Sequence, residues 1–416
     1  MSKKHPCFNK KDHATSARVH IPVAPKCNVQ CNFCNRKYDC VNESRPGVTS
    51  AVLTPLQALE YFKEVKEKLS NLAVVGIAGP GDPMANPEAT IETFRLIREE
   101  DPDMTFCLST NGLALAEHID ELKTVGVSHL TITMNGLDEQ ILADTYSWIR
   151  PKVKIFRGLA AGQEIKRRQL EALDAALAAG FEIKINTILL PGVNDKEIPK
   201  LAEFLKDKGV KVHNILPLKP VEGTPFGVLE EPSRELIHQV RSEAQKFLPQ
   251  MTHCMRCRAD AVGLLGQKSP EELVQALIKA SMGVPRKTRP YVGVTSREGF
   301  LVNEHLGEAT HIRIYKYEDG RTVPVERRAS PGKGTGNDRW EALAELLKDC
   351  AALLVSGIGP KPQKVLTQSG IAIHMMEGLI SEGVERIYTS KSMDSLKPRQ
   401  AFSCGSSCQG TAQGCG

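Results

Sequence analysis

Between Arg18 and Val23 apolar and polar positions alternate, with Val19, Ile21 and Val23 on one side and Arg18 and His20 on the other. A period of two is the signature of a strand. If helices cover its apolar face, His20 points into the interior of a sheet or barrel. Thr54-Pro55 then opens a helix through about Leu69, because threonine caps free N–H groups and proline suits the first turn. Strand-like runs at 73–78, 105–109, 129–133, 182–189 and 211–216 alternate with helical periods at about 87–100, 113–125, 162–179, 195–208 and 232–247. Strict alternation with connections of this length means parallel strands, and about six such units fall short of the eight in a closed barrel. The expected fold is α/β, a partial (β/α)6 TIM-type barrel with ligands at the C-terminal strand ends.

A helical stretch at 269–282 leads into the basic, proline-bounded segment 285–290, which reads as a linker. Beyond it, strand patterns at 291–295, 300–303 and 311–317 precede a helix at 338–350, a strand at 352–356 and a helix near 372–382. These make a second, smaller α/β domain. The expected organisation is an N-terminal extension (1–17), a barrel domain (18–284), the linker, a second domain (291–392) and a tail rich in glycine, serine and cysteine (393–416).

A length of 416 residues fits two or three domains. No run approaches the ~20 apolar residues of a membrane span, and no apolar segment follows the charged N-terminus as in a secretory signal, so a cytoplasmic chain is expected. The net charge of +5 is spread without a basic stripe, which disfavours nucleic acid as a partner. Twelve cysteines in a reducing compartment point to metal or redox chemistry rather than disulfides. Five lie in the first 40 residues, Cys254 and Cys257 form a CxxC, and Cys404, Cys408 and Cys415 sit in the tail. Cys107 and Cys350, isolated in apolar runs, read as packed hydrophobes.

Cys27, Cys31 and Cys34 form a CxxxCxxC after the first strand. Three thiolates at this spacing can hold three irons of a [4Fe-4S] cube and leave the fourth open to a small molecule. A zinc knuckle or a disulfide loop is the alternative, although zinc sites usually pair CxxC units with a fourth ligand. The loops Ala78–Pro83 and Ser109–Gly112 end the next two strands; each alone is also compatible with an ordinary βα turn.

Together these three rims resemble the radical S-adenosylmethionine (SAM) superfamily. The resemblance implies that Cys27, Cys31 and Cys34 hold the SAM-binding cluster. It further implies that Gly79, Gly81 and Asp82 belong to the glycine-rich motif meeting the SAM amino group. Ser109 and Asn111 are similar to the ribose-contacting pair, and Asn186, in the segment 186–195, to the adenine flank. HPCF at 5–8, VAPKCNVQCNFCNRKYDC at 23–40, NESRPGVTS at 42–50 and the CxRCRADAVG segment at 254–263 narrow this to a resemblance to the NifB family. Residues 291–390 resemble the NifX and NafY carrier domains, with a ribonuclease H-like fold. The implied reaction fuses two [4Fe-4S] substrate clusters with a SAM-derived carbide and a ninth sulfur into an [8Fe-9S-C] precursor of nitrogenase cofactors. A first SAM donates a methyl group to a cluster sulfide and a second yields the 5'-deoxyadenosyl radical that abstracts hydrogen from it. Cluster donors and cofactor acceptors of nitrogenase assembly are the implied partners.

Two substrate clusters need further ligands. Cys7, Cys40, Cys254 and Cys257 supply thiolates, and among His5, His13 and His20 the strand alternation favours His20. The expected grouping sets Cys254 and Cys257 with His20, and Cys7 with Cys40. Glu43 is a carboxylate ligand or proton acceptor, or equally a helix cap or salt-bridge partner. Two rival classes are a radical SAM enzyme with one auxiliary cluster, of the molybdenum-cofactor cyclase type, and a non-catalytic iron-sulfur scaffold. In the second domain His305, His311 and His374 are candidate cluster contacts, with solvated surface the expected fate of each. SPGKGTGND at 330–338 lacks the Ser or Thr of a Walker A loop after Lys333. The tail cysteines are assigned a transient role with iron.

Overall fold

The computed structural model describes residues 4–40, 48–332 and 338–397. The chain divides into two compact units, Met1–Val274 and Gln275–Gly416. The first contains β1 (Ala17–His20), β2 (Val29–Cys31), β3 (Leu72–Ile77), β4 (Thr105–Thr110), β5 (Val127–Thr133), β6 (Tyr146–Ile149), β7 (Glu182–Leu189), β8 (Val212–Pro217) and β9 (Val262–Gly263). Six strands, β1, β3, β4, β5, β7 and β8, run parallel as neighbours in one curled sheet, and β9 closes its edge antiparallel to β1. This is the expected open half-barrel. Its helices are α1 (Pro55–Lys68), α2 (Pro87–Glu100), α3 (Ile119–Thr124), α4 (Glu139–Thr145), α5 (Gly158–Ala178), α6 (Ile198–Asp207) and α7 (Arg234–Gln245).

The local reasons are those of the sequence. At α1 a reciprocal box forms: the Gln57 N–H donates to Thr54 Oγ1 at 3.3 Å and the Thr54 N–H to Gln57 Oε1 at 2.9 Å. The helix buries Ala58, Tyr61, Phe62 and Val65, each large side chain adding about 1.5–3 kcal/mol. Two pieces differ from expectation. The helix over 113–125 is broken, a 3-10 turn at Leu115–His118 preceding the short α3. The segment 139–149, without a strong period of its own, folds as α4 and β6, and β6 pairs antiparallel with β2 inside the cysteine loop.

Helix α8 (Glu271–Met282) spans the division between the units. The second unit holds β10 (Tyr291–Val294), β11 (Leu301–Val302), β12 (His311–Glu318), β13 (Arg321–Ala329), β14 (Cys350–Val355), β15 (Ala372–Met375) and β16 (Gly378–Leu379), with α9 (Asp338–Leu346), α10 (Pro360–Gln368) and α11 (Ile380–Tyr388). Its main sheet runs β13-β12-β10-β14-β15, antiparallel on one side of β10 and parallel on the other, a ribonuclease H-like arrangement. The expected helix over 372–382 is a correction. Ala372 to Met375 pair parallel with Ala352 to Val355 as an edge strand, Gly378 interrupts the chain at φ +127°, and the helices lie on either side as α10 and α11. No helix among the described residues is long and apolar enough to cross a membrane.

Candidate active site

The cysteine loop is pinned on both flanks. Asn32 N–H donates to Thr145 O at 2.9 Å, Arg150 N–H to Asn28 O at 2.8 Å, and Phe226 N–H to Asn32 O at 2.8 Å. Phe33 is fully buried, and Val29, Cys31 and Cys34 pack with Leu142, Tyr146 and Ile149. Within this frame Cys27, Cys31 and Cys34 line one cavity together with Arg36, Cys40, Gly81, Asp82, Ser109 and Asn111. No cysteine among the described residues is in a disulfide. No three His, Cys, Asp or Glu side chains among them converge on one ion, whereas a cube gives each thiolate its own iron. Burial, then the nearby Asp82 carboxylate, pushes the Cys27 thiol up to about 12. Burial also raises Cys34, against the Arg36 guanidinium. Iron is the partner that would hold them as thiolates.

The glycine-rich loop lines this cavity through Gly81 and Asp82 and also packs tightly on the cysteine loop. A Cβ on Gly81 would overlap the backbone of Lys26, and Gly81 N–H donates to Ala24 O at 2.6 Å. Asp82, 4% exposed, accepts from Asn111 N–H at 2.7 Å, Thr110 Oγ1 at 2.9 Å and Met84 N–H at 2.9 Å. Asn111 in turn donates through Nδ2 to Asn28 Oδ1 at 2.7 Å, and the same nitrogen stands 4.0 Å from Cys27 Sγ. The three strand-end loops are thus one hydrogen-bonded unit. Ser109 Oγ is the exception, buried with no hydrogen-bond partner among the described residues and facing the cavity. Three thiols outside any disulfide and the Ser109 hydroxyl are a donor set that fits a [4Fe-4S] cluster and an adjacent polar ligand.

A second cavity, about 660 Å³ with its mouth, runs along the inner face of the half-barrel, and Ser109 lines both. Here the structure brings together Cys7, His20, Cys254 and Cys257, with His5 added. Strand alternation does turn His20 inward. Its Nδ1 lies 3.0 Å from Arg258 O, Gly76 beside it has no Cβ to collide with its ring, and burial, then Arg18, lowers it to about 4. Burial raises Cys7 to about 11, against the pull of Lys184. His5 is buried, receives the Cys7 N–H on Nδ1 at 3.1 Å, and leaves Nε2 without a hydrogen-bond partner among the described residues.

Several expectations are placed differently. Cys40 lines the cysteine-loop cavity, not the chamber with Cys7; its N–H donates to Pro80 O at 3.0 Å. Asn186 faces the chamber, where Asn214 Nδ2 donates to its Oδ1 at 2.9 Å. His13 stays on the outside near Lys10 O. Cys107 is no packed hydrophobe but half-buried at the chamber wall, while Cys350 is buried. Glu43, Lys333 and the tail cysteines fall outside the described residues. In the second unit His374 is not solvated: its Nε2 lies 2.8 Å from Met282 O. His305 is half-buried, with Gly307 N–H on its Nδ1. Sequence reading passed over Lys184, Arg256 and Asn214. Lys184 and Asn186 alternate with Ile183 and Ile185 in β7, the same signal that marked His20.

The Radical SAM superfamily model matches residues 21–205, and the model described as dinitrogenase iron-molybdenum cofactor matches 288–390. The FeMo cofactor biosynthesis protein NifB of Chlorobaculum tepidum is 44% identical over 99% of this chain and 99% of its own length. The proteins of that name from Klebsiella pneumoniae and Azotobacter vinelandii are 40% and 36% identical, over 88% and 92% of this chain and 86% and 87% of their own lengths. With matches of this extent, the chain belongs to the NifB family of the radical SAM superfamily.

Proposed function

We propose that this chain is a radical SAM enzyme of FeMo-cofactor biosynthesis that fuses two [4Fe-4S] substrate clusters, with a SAM-derived carbide and an extra sulfur, into the [8Fe-9S-C] precursor. The observation that carries this reading is the chamber with Cys7, Cys254, Cys257, His5 and His20, separated from the cysteine-loop cavity by the wall that Ser109 shares. A resident [4Fe-4S] cluster on Cys27, Cys31 and Cys34 would supply the electron that cleaves SAM.

The chain's own residues do the rest. Asp82 fixes Asn111, and Asn111 fixes the position of Asn28 beside Cys27. Ser109 Oγ, unsatisfied among the described residues, is the group to meet bound SAM. Cys254, Cys257 and Cys7 with an inward imidazole hold one substrate cluster in the chamber. Cys40, on the cysteine-loop side, is a ligand for the second, with Glu43 as a further carboxylate. Few protein ligands suit cargo that has to rearrange and leave. The second unit, matched by the iron-molybdenum cofactor model, is the carrier domain, and cluster donors and cofactor acceptors are the partners.

The test is anaerobic reconstitution followed by iron counting and SAM turnover. Release of 5'-deoxyadenosine from a chain holding iron for three clusters supports the enzyme. Clusters without SAM cleavage mark a scaffold, and iron for two clusters marks an enzyme with one auxiliary site.

A further inference from the structure

Arg18 and Lys184 are buried inside the half-barrel, 4% and 6% exposed. Both line the chamber, as does Arg256, and no Asp or Glu among the described residues lines it with them. Buried cations are costly unless an anion is close. Asp260, which acts electrostatically on His20, is engaged by Arg258 Nε at 2.8 Å and Ser50 N–H at 2.8 Å. Thiols are among the groups that meet the chamber cations, beside the Pro217 carbonyl and the Glu231 carboxylate that act on Arg256. Arg18 Nη2 stands 3.0 Å from Cys257 Sγ, its Nη1 is anchored on the carbonyls of Gly263 and Leu264, and its Nε has no hydrogen-bond partner among the described residues. Lys184 acts on Cys7, and Arg256 on Cys254.

Resting on the proposed function, we infer that Arg18 and Lys184 are positioning residues that hold the anionic iron-sulfur cargo by charge, each set against one of the chamber thiols. A sulfide-rich cluster is anionic, and a site with few thiolates gives it few covalent anchors. Fixed cations inside a low-dielectric cavity supply retention without covalent bonds, so the cargo stays bound while its ligands change. Arg18 also fixes the orientation of Cys257, because its guanidinium is itself tied to two β9-edge carbonyls.

The experiment uses the full chain, reconstituted anaerobically with ferrous iron and sulfide. Iron per chain and the midpoint potentials of the clusters are measured by EPR-monitored titration, and the cluster on Cys27, Cys31 and Cys34 is identified by its response to SAM. Arg18→Gln and Lys184→Gln are expected to weaken retention of chamber iron on the order of tenfold or more, and to move the potential of what remains to more negative values, since reduction loses a neighbouring cation. Arg18→Lys, which keeps the charge, is expected to retain the iron. Should Arg18→Gln fail to fold by circular dichroism, Lys184→Gln carries the same test. Full chamber iron with unmoved potentials in the glutamine variants overturns the inference while leaving the proposed function standing. A wild-type chain that takes up only the SAM-responsive cluster overturns the proposed function, and the inference with it.

Discussion

Asp82 Oδ2 accepts the backbone N–H of Asn111 at 2.7 Å, joining the loop after β3 to the loop after β4. With Thr110 and Met84 also donating to it, this one carboxylate satisfies three groups in a buried site. Asp82→Ala leaves buried donors unpaired, at about 1–3 kcal/mol each. It is expected to destabilise the first unit by on the order of 3 kcal/mol and to weaken SAM binding. Asp82→Asn, which keeps one acceptor oxygen, is expected to fall between. Urea unfolding and calorimetric titration with SAM check both.

Gly81 is set by its contact with the cysteine loop. A methyl group there overlaps the Lys26 backbone, one residue before Cys27, so Gly81→Ala has to displace a loop that is otherwise pinned. The cost falls in the ~1–3 kcal/mol range of overpacking. Loss of SAM-responsive iron is expected to exceed loss of chamber iron, as read by iron analysis with and without Cys254→Ala and Cys257→Ala.

His213 makes the first unit sensitive to acid. Thr187 donates its hydroxyl to Met134 O at 2.6 Å, so its oxygen receives His213 Nε2–H at 2.9 Å, and Nδ1 is buried without a partner among the described residues. Protonating Nδ1 would bury an unpaired charge, and burial lowers this histidine to about 3. The folded value lies below the unfolded one near 6.5, so the unfolded chain binds more protons between them. The stabilisation is complete above pH 6.5 and is lost as pH falls toward 3. Urea unfolding is expected to show stability falling below pH 6.5, and His213→Gln is expected to reduce that slope.

Cys7 and Cys257 share a chamber that Cys40 does not line. Cys7→Ala and Cys257→Ala are therefore expected to remove the same cluster signal, and Cys40→Ala a different one. Mössbauer spectra of the three variants check this. Identical losses in all three would contradict the division between the two cavities.

The half-barrel was legible because its signals are local. Alternation in β1 turned His20 inward, Thr54-Pro55 started α1, and six β–α units implied an open parallel sheet. Long-range pairing was not legible. β6 forms on β2, more than a hundred residues earlier in the chain, and β13 is charged on both faces because it is an edge strand. Within the site, the motif positions could be named but not what each touches. Gly81 and Asp82 turned out to fasten loops to one another. Cys40 lies close to the motif cysteines in sequence and stays with them in space, while Cys7, equally N-terminal, meets Cys254 and Cys257 through the fold. Lys184 followed the same alternation as His20, but its place beside Arg18 and the chamber thiols is a property of the folded cavity.

In the proposed reaction SAM carbon enters a cluster in the chamber. The direct measurement is anaerobic turnover of the reconstituted chain with SAM labelled in its methyl carbon, followed by extraction of the cluster and quantification of label. Label is expected in an eight-iron product from the wild-type chain and is expected to be lost in Cys254→Ala. Full incorporation by Cys254→Ala, or SAM cleavage by the wild-type chain with no label in any cluster, would contradict it.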